Sequence, residues 1–171
     1  MNERWVVFDL IGVLAGPSWR EIGPEAAPRW RSFKLGEIDE ATFWDAARAA
    51  AYRRVLDFRS ERRAYVEELK ARGRKICVAT NFSGGWLRHL LSKSAAEALF
   101  DARVVSSEVK VAKPDPAFFA EVLRLAPLGS IFVDDQAQNC AAAERAGLRA
   151  IVARPGCGVE EEVERLFSEA G

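Results

Sequence analysis

Short, almost continuously apolar runs recur along the chain at Trp5–Phe8, Lys75–Ala79, Arg103–Val105, Ser130–Val133 and Arg149–Ala153, all rich in Val, Ile and Phe. Hydrophobicity that does not alternate is what a strand needs when both of its faces are covered, as in a parallel sheet between two helical layers. Helical segments are expected between the runs: Ser60–Gly73, Gly85–Leu91, Asp115–Leu125 opened by Pro116, and Gln138–Gly147 closed by its glycine. The tail Val159–Ala170 reads as a final amphipathic helix. Strand alternating with helix predicts an α/β, doubly wound (Rossmann-like) domain.

Residues 15–57 break this rhythm and hold Trp19, Trp30 and Trp44. One amphipathic helix is expected there, from about Asp39 to Val55, with Trp44, Ala47, Ala51 and Val55 on its apolar face. The segment therefore reads as a small helical insertion into a core made of residues 1–14 and 58–171. No internal repeat or low-complexity tract interrupts this organisation.

Composition adds limits rather than identity. A chain of 171 residues accommodates one domain with a modest insertion, and 49% apolar with 29% charged residues is a globular mixture. Twenty-five Lys and Arg cancel twenty-five Asp and Glu, which removes the global basic field of most nucleic-acid and anionic-membrane binders. No apolar stretch approaches the roughly 18 residues of a membrane span. The N-terminal apolar segment is interrupted by Asp9, unlike a signal peptide. Cys77, Cys140 and Cys157 are odd in number and match no zinc spacing, so a reducing cytoplasm is the expected location.

In a doubly wound sheet, ligands bind beyond the carboxyl ends of the strands. There the sequence places Asp9 after the first run, Thr80 and Asn81 after the second, and the pair Asp134-Asp135 after the fourth, with Lys113 ahead of a helix. Each alone is ordinary turn or capping chemistry. Together they make a chemical set. Adjacent carboxylates behind Ile131-Phe132-Val133 need a cation or a lysine to neutralise them. Hard oxygen ligands suit Mg²⁺, while Lys113, Thr80 and the N–H groups of the Asn81–Gly84 turn suit phosphate oxygens. An aspartate beside such a cation is a nucleophile toward phosphorus. The set reads as phosphoryl transfer.

The order Asp9-Leu-Ile-Gly12-Val-Leu, Thr80-Asn81, Lys113-Pro-Asp-Pro-Ala-Phe-Phe and Phe132-Val-Asp134-Asp135 with Asn139 resembles the four sequential motifs of the haloacid dehalogenase-like (HAD) hydrolases. Phe33-Lys-Leu-Gly36-Glu-Ile-Asp39 is similar to cap segments of the subfamily with a helical cap between motifs one and two. The resemblance implies strand order 3-2-1-4-5, Asp9 as the nucleophile forming an aspartyl-phosphate, and Thr80 and Lys113 positioning the transferring group. It also implies a Mg²⁺ site made by Asp9, the Ile11 carbonyl, Asp134 and Asp135, with Asp135 ranked above Asp134. A small phosphate ester is the expected substrate.

One departure stands out. Phosphatases of this family carry an acid/base aspartate two residues after the nucleophile, and this chain has Ile11. A positioned acid/base contributes about 10²–10⁴-fold in rate, so turnover is expected to be weak and confined to good leaving groups. Two other readings compete: a binding or regulatory module without turnover, and a 2-haloacid dehalogenase, whose relatives also lack that aspartate. The latter has no use for paired metal ligands. A 43-residue cap is short for its kind, which would widen the site or leave a surface for a partner protein, although Trp44 on its helical stripe reads as packing. His89 and Cys77 read as structural, and Cys157 as exposed with no partner to activate it.

Overall fold

The structure is a computed structural model that describes residues 5–156 and 158–169. In chain order, β1 (Trp5–Phe8) and β2 (Ala15–Gly16) precede two 3₁₀ turns, Trp19–Glu21 and Pro24–Arg29. Helices α1 (Trp30–Lys34), α2 (Glu40–Phe43) and α3 (Ala46–Val55) follow, then β3 (Asp57–Phe58), α4 (Ser60–Ala71), β4 (Lys75–Thr80) and α5 (Gly84–Lys93). The remainder is β5 (Ala102–Val105), α6 (Ser106–Val109), α7 (Pro116–Leu123), β6 (Ile131–Asp134), α8 (Ala137–Arg145), β7 (Arg149–Val152) and α9 (Val159–Ser168). Among the described residues no helix is long and apolar enough to cross a membrane.

Five strands form one parallel sheet in the order β5-β4-β1-β6-β7, which is the expected 3-2-1-4-5. The pleat explains why the runs are continuous rather than alternating. Val6 and Phe8 of β1 face one core with Ile76, Val78, Ile131 and Val133, lined by α4, α5 and α9. Val7 faces the other, with Cys77 and Phe132, closed by α7 and α8. Both faces of the central strand are therefore dry.

The antiparallel pair β2–β3 joins Ala15 to Phe58 and Gly16 to Asp57, closing the base of the helical insertion. The single helix expected from Asp39 to Val55 is two. Asp39 caps α2 by accepting the Thr42 N–H at 2.8 Å, and Asp45 caps α3 by accepting the Arg48 N–H at 2.9 Å. Trp44 between them is extended. A second aspartate able to cap a new helix offers the backbone a restart that uniform helical periodicity does not reveal. The buried face shifts as well. Ala49 and Tyr52 turn inward, whereas Ala47 and Val55 are exposed. Alanines on every side give the helix little apolar direction, and Tyr52 decides it by burying its ring and donating its hydroxyl to Pro17 O at 3.1 Å.

The insertion has no core of its own. Trp86 of α5 is fully buried and its ring centroid lies 4.6 Å from Tyr52, 4.8 Å from Phe33 and 5.3 Å from Trp44. Trp19 and Trp44 are buried in the same cluster. Trp44 thus packs the insertion against Trp86 of α5, Trp19 is buried beside it, and Trp30 is half-buried.

Candidate active site

All the strand-end candidates meet at the carboxyl edge of the sheet. Asp9 follows β1 and continues its ladder by donating its N–H to Val133 O at 2.8 Å. Thr80 and Asp134 are the last residues of β4 and β6, so each strand runs one place further than its apolar run suggests, because each ladder extends through them. Lys113 arrives from the loop ahead of α7, whose first turn is fixed by Asp115 accepting the Ala117 N–H at 2.9 Å.

Lys113 is buried, and its Nζ donates to Asp9 Oδ1 at 2.8 Å, Asp134 Oδ2 at 2.5 Å and Ala79 O at 2.8 Å. Its three donors are thereby used. Asp134 is fully buried and also accepts from the Gln136 N–H at 2.8 Å and from Asn139 Nδ2 at 3.0 and 3.1 Å. Burial pulls the Lys113 pKa down, but the two carboxylates outweigh it and hold the ammonium above its ordinary range. Burial pushes the Asp9 carboxyl up to about 6, with Lys113 opposing and Asp134 adding to the rise. Asp135 is likewise raised, first by burial and then by Asp134.

Oxygens of Asp9, Asp134 and Asp135 lie within 4.8 Å of one another. Three carboxylates against one ammonium leave an excess of two negative charges in a largely buried place, a balance a divalent cation restores. Asn139 Oδ1 is buried beside them with no hydrogen-bond partner among the described residues. The donor set and this orphaned acceptor fit a hard, hydrated cation. Gly12 completes the arrangement. Its φ is +95°, and a Cβ there would lie 2.5 Å from Asp135 Oδ2, so the turn after β1 leaves room for that carboxylate only because it carries no side chain.

Asn81 lines the cleft, and its amide has a structural task as well. Its Nδ2 donates to Lys113 O at 2.9 Å and its Oδ1 accepts the Lys113 N–H at 2.8 Å, so the side chain locks the Lys113 loop. In the Asn81–Gly84 turn, the Gly84 N–H donates to Ser107 Oγ at 2.9 Å and is not free for a ligand.

A cleft of about 490 Å³ opens above these groups, lined by Asp9, Ile11, Thr80, Lys113, Asp135 and Asn139 from the sheet edge. Its other wall comes from the insertion and from the β3–α4 junction: Trp19, Arg20, Trp30, Lys34 and Arg59. Those basic residues carry no sequence signal, since isolated cations in a helical stretch look like solvated surface. Ile11 lines the cleft two residues past Asp9, where it offers no titratable group.

The remaining candidates lie elsewhere. His89 Nε2 faces Arg53 O at 3.0 Å, where only a donor fits, and Lys93 donates to Arg54 O and Leu56 O at 3.0 and 2.9 Å. Both residues of α5 thus cap the end of α3. Cys77 and Cys140 are buried free thiols, each pushed up to about 12 by burial and so unreactive. Cys157 lies outside the described residues.

A family model described as haloacid dehalogenase-like hydrolase matches residues 11–153. No curated protein matches the chain. Among solved structures, a HAD family enzyme from Bacteroides thetaiotaomicron is similar at 21% identity and a TM-score of 0.75, over 93% of this chain and 97% of that one. The same enzyme in complex with magnesium and inorganic phosphate gives 20% identity and a TM-score of 0.74, over 93% and 98% of the two chains. An L-2-haloacid dehalogenase from Xanthobacter autotrophicus gives 22% and 0.66, over 96% and 82%. At these identities the likeness is one of fold.

Proposed function

The chain belongs to the haloacid dehalogenase-like hydrolases, and from that membership we propose that it is a Mg²⁺-dependent phosphatase acting on a small organophosphate through Asp9. The observation that carries the reading is the convergence of Asp9, Asp134 and Asp135 within 4.8 Å, beside a buried lysine. Attack on carbon by a single carboxylate has no use for three. Asp9, Asp135, Asp134 and the Ile11 carbonyl would hold Mg²⁺, which supplies charge neutralisation for the nucleophile and the phosphoryl oxygens. Asp135 ranks first of the two carboxylates at the end of β6, because Asp134 is already engaged by Lys113, Asn139 and the Gln136 N–H. The magnesium and phosphate held by the Bacteroides neighbour support the assignment.

In the first step a carboxylate oxygen of Asp9 attacks phosphorus and the bond to the leaving oxygen breaks, giving an aspartyl-phosphate. Water then attacks that phosphorus, releasing phosphate and regenerating Asp9. Lys113 holds Asp9 in place and stabilises charge on the transferring group, and the Thr80 hydroxyl positions a phosphoryl oxygen. Asn81 is a positioning residue acting through Lys113. Ile11 gives the leaving group no proton, so substrates with good leaving groups, such as aryl or acyl phosphates, react best. Residues 15–57 act as a short cap over the core made by 1–14 and 58–171. Two free buried thiols fit a reducing cytoplasm.

Ile11 and the Xanthobacter neighbour favour a second reading, dehalogenation of a 2-haloacid. Phosphate release from p-nitrophenyl phosphate and acetyl phosphate separates the two. Mg²⁺-dependent release, abolished by Asp9→Asn, supports the phosphatase. Metal-free chloride release from 2-chloropropionate supports the dehalogenase, and neither activity leaves a binding module.

A further inference from the structure

Lys34, at the end of α1, lines the cleft with its side chain half-buried. Burial lowers its pKa first, followed by the positive charges of Arg31, Arg20 and Lys113; no carboxylate offsets them. Arg20 lines the same wall, its guanidinium 5.2 Å from the Trp19 ring centroid. Among the described residues neither Lys34 nor Arg20 makes an ion pair, whereas Arg53, Arg62 and Arg72 each sit on a carboxylate. The acid nearest in sequence, Glu21, is engaged in capping, its Oε1 accepting the Ser18 N–H at 2.9 Å. Arg59, from the β3–α4 junction, also lines the cleft and makes no ion pair among the described residues; its charge acts on Asp135, opposing the rise that burial causes there.

Half-buried Lys34 loses solvation and is repelled by exposed Arg20, and although Glu21 also lines the cleft it forms no ion pair with either among the described residues, so a bound anion removes the cost. Lys113 cannot be shared with that anion, because its three donors are committed to Asp9, Asp134 and Ala79 O. The cleft of about 490 Å³ is also larger than a phosphoryl group requires. We propose that Lys34 and Arg20 form a second anion subsite, so that the substrate is a phosphate monoester whose leaving group carries a further carboxylate or phosphate. This rests on the phosphatase reading of the Asp9 site. Trp19 and Trp30, stacked with centroids 4.8 Å apart, form the apolar wall against which the carbon skeleton lies.

The test uses two matched pairs with the whole protein and Mg²⁺: 3-phosphoglycerate against glycerol 3-phosphate, and fructose 1,6-bisphosphate against fructose 6-phosphate. In at least one pair the member with the second anion is expected to have kcat/KM at least about tenfold higher, through KM, as one charged hydrogen bond implies. The pair showing the effect tells carboxylate from phosphate. Lys34→Met is expected to shrink that preference about tenfold while Lys34→Arg keeps most of it, and Arg20→Gln reads the same subsite should Lys34→Met fold poorly. Phosphate release with equal kcat/KM within both pairs overturns the subsite and leaves the phosphatase standing. If none of the four is hydrolysed, calorimetric binding of the same pairs decides. A preference lost in Lys34→Met upholds the subsite without the phosphatase, and equal binding overturns it.

Discussion

Gly12 and Asp135 share one small volume: a Cβ on the glycine would fall 2.5 Å from Asp135 Oδ2 and 2.8 Å from its Cγ. Gly12→Ala therefore does two things. It places a Cβ at φ +95°, at a cost on the order of 1–3 kcal/mol, and it displaces Asp135, the carboxylate proposed as first Mg²⁺ ligand. The expected outcome is lower stability in urea together with a Mg²⁺ half-saturation raised about tenfold or more. Gly73→Ala separates the two effects, since φ is +74° there and nothing lies within 4 Å. It should lose stability and keep the wild-type Mg²⁺ titration. A normal titration in Gly12→Ala would reduce the glycine to a backbone role.

Lys113→Met leaves Asp9 and Asp134 buried without the ammonium that both touch. Breaking a buried ion pair by removing one partner costs about 3–5 kcal/mol, and turnover should fall by about 10²–10³-fold. The cause is uncompensated negative charge rather than lost packing, so Asp9→Asn added to Lys113→Met should restore part of the stability. Denaturation of the four variants of the cycle measures the coupling. Strictly additive losses would show that charge is not the reason.

Asp9 makes the metal-free protein pH-sensitive. Its carboxyl is raised from 3.8 to about 6, so between those values the native chain keeps a proton that the unfolded chain has released. Stability then falls as pH rises through this window, by a total on the order of 3 kcal/mol, and is level above it. Asp9→Asn removes the titration. In EDTA, the variant should gain on the wild type from pH 4 to about pH 6 and then hold a constant lead to pH 7 in urea denaturation, and Mg²⁺ at pH 7 should restore the wild type. A pH-independent difference would mean that burial of the charge is not what shapes the stability of this edge.

Much of this was legible in the sequence because it follows from burial on two faces. Val6-Val7-Phe8 and Ile131-Phe132-Val133 have no polar side, so they announce central parallel strands, and the polar residues that follow them announce the working edge. Trp86 was not legible as the keystone of the insertion, since its partners Phe33, Trp44 and Tyr52 come from other elements and share no period with it. The break at Trp44 was hidden by alanines that suit either one helix or two. Lys34 and Arg20 gave no signal because a solvated cation and one facing a cleft are the same letters. Asn81 has a task that its place at a strand end did not show: it lines the cleft, and both ends of its amide are also bound to the Lys113 backbone.

Ile11 lines the cleft two residues beyond Asp9, the proposed nucleophile, and its effect should depend on the leaving group. Alkyl phosphates expel a strongly basic alkoxide and need a proton as the bond breaks, whereas p-nitrophenolate leaves without one. Wild-type turnover should therefore decline steeply as leaving-group pKa rises. Ile11→Asp supplies an acid at that position and should raise turnover of alkyl phosphates by about 10²-fold, within the usual range for a positioned acid, with a much smaller gain for p-nitrophenyl phosphate. The slope of log kcat against leaving-group pKa across substituted phenyl and alkyl phosphates should flatten accordingly. Equal gains on every substrate would indicate improved metal binding by the new carboxylate, since that helps all leaving groups alike. No gain on any would show that the leaving oxygen is not within reach of residue 11.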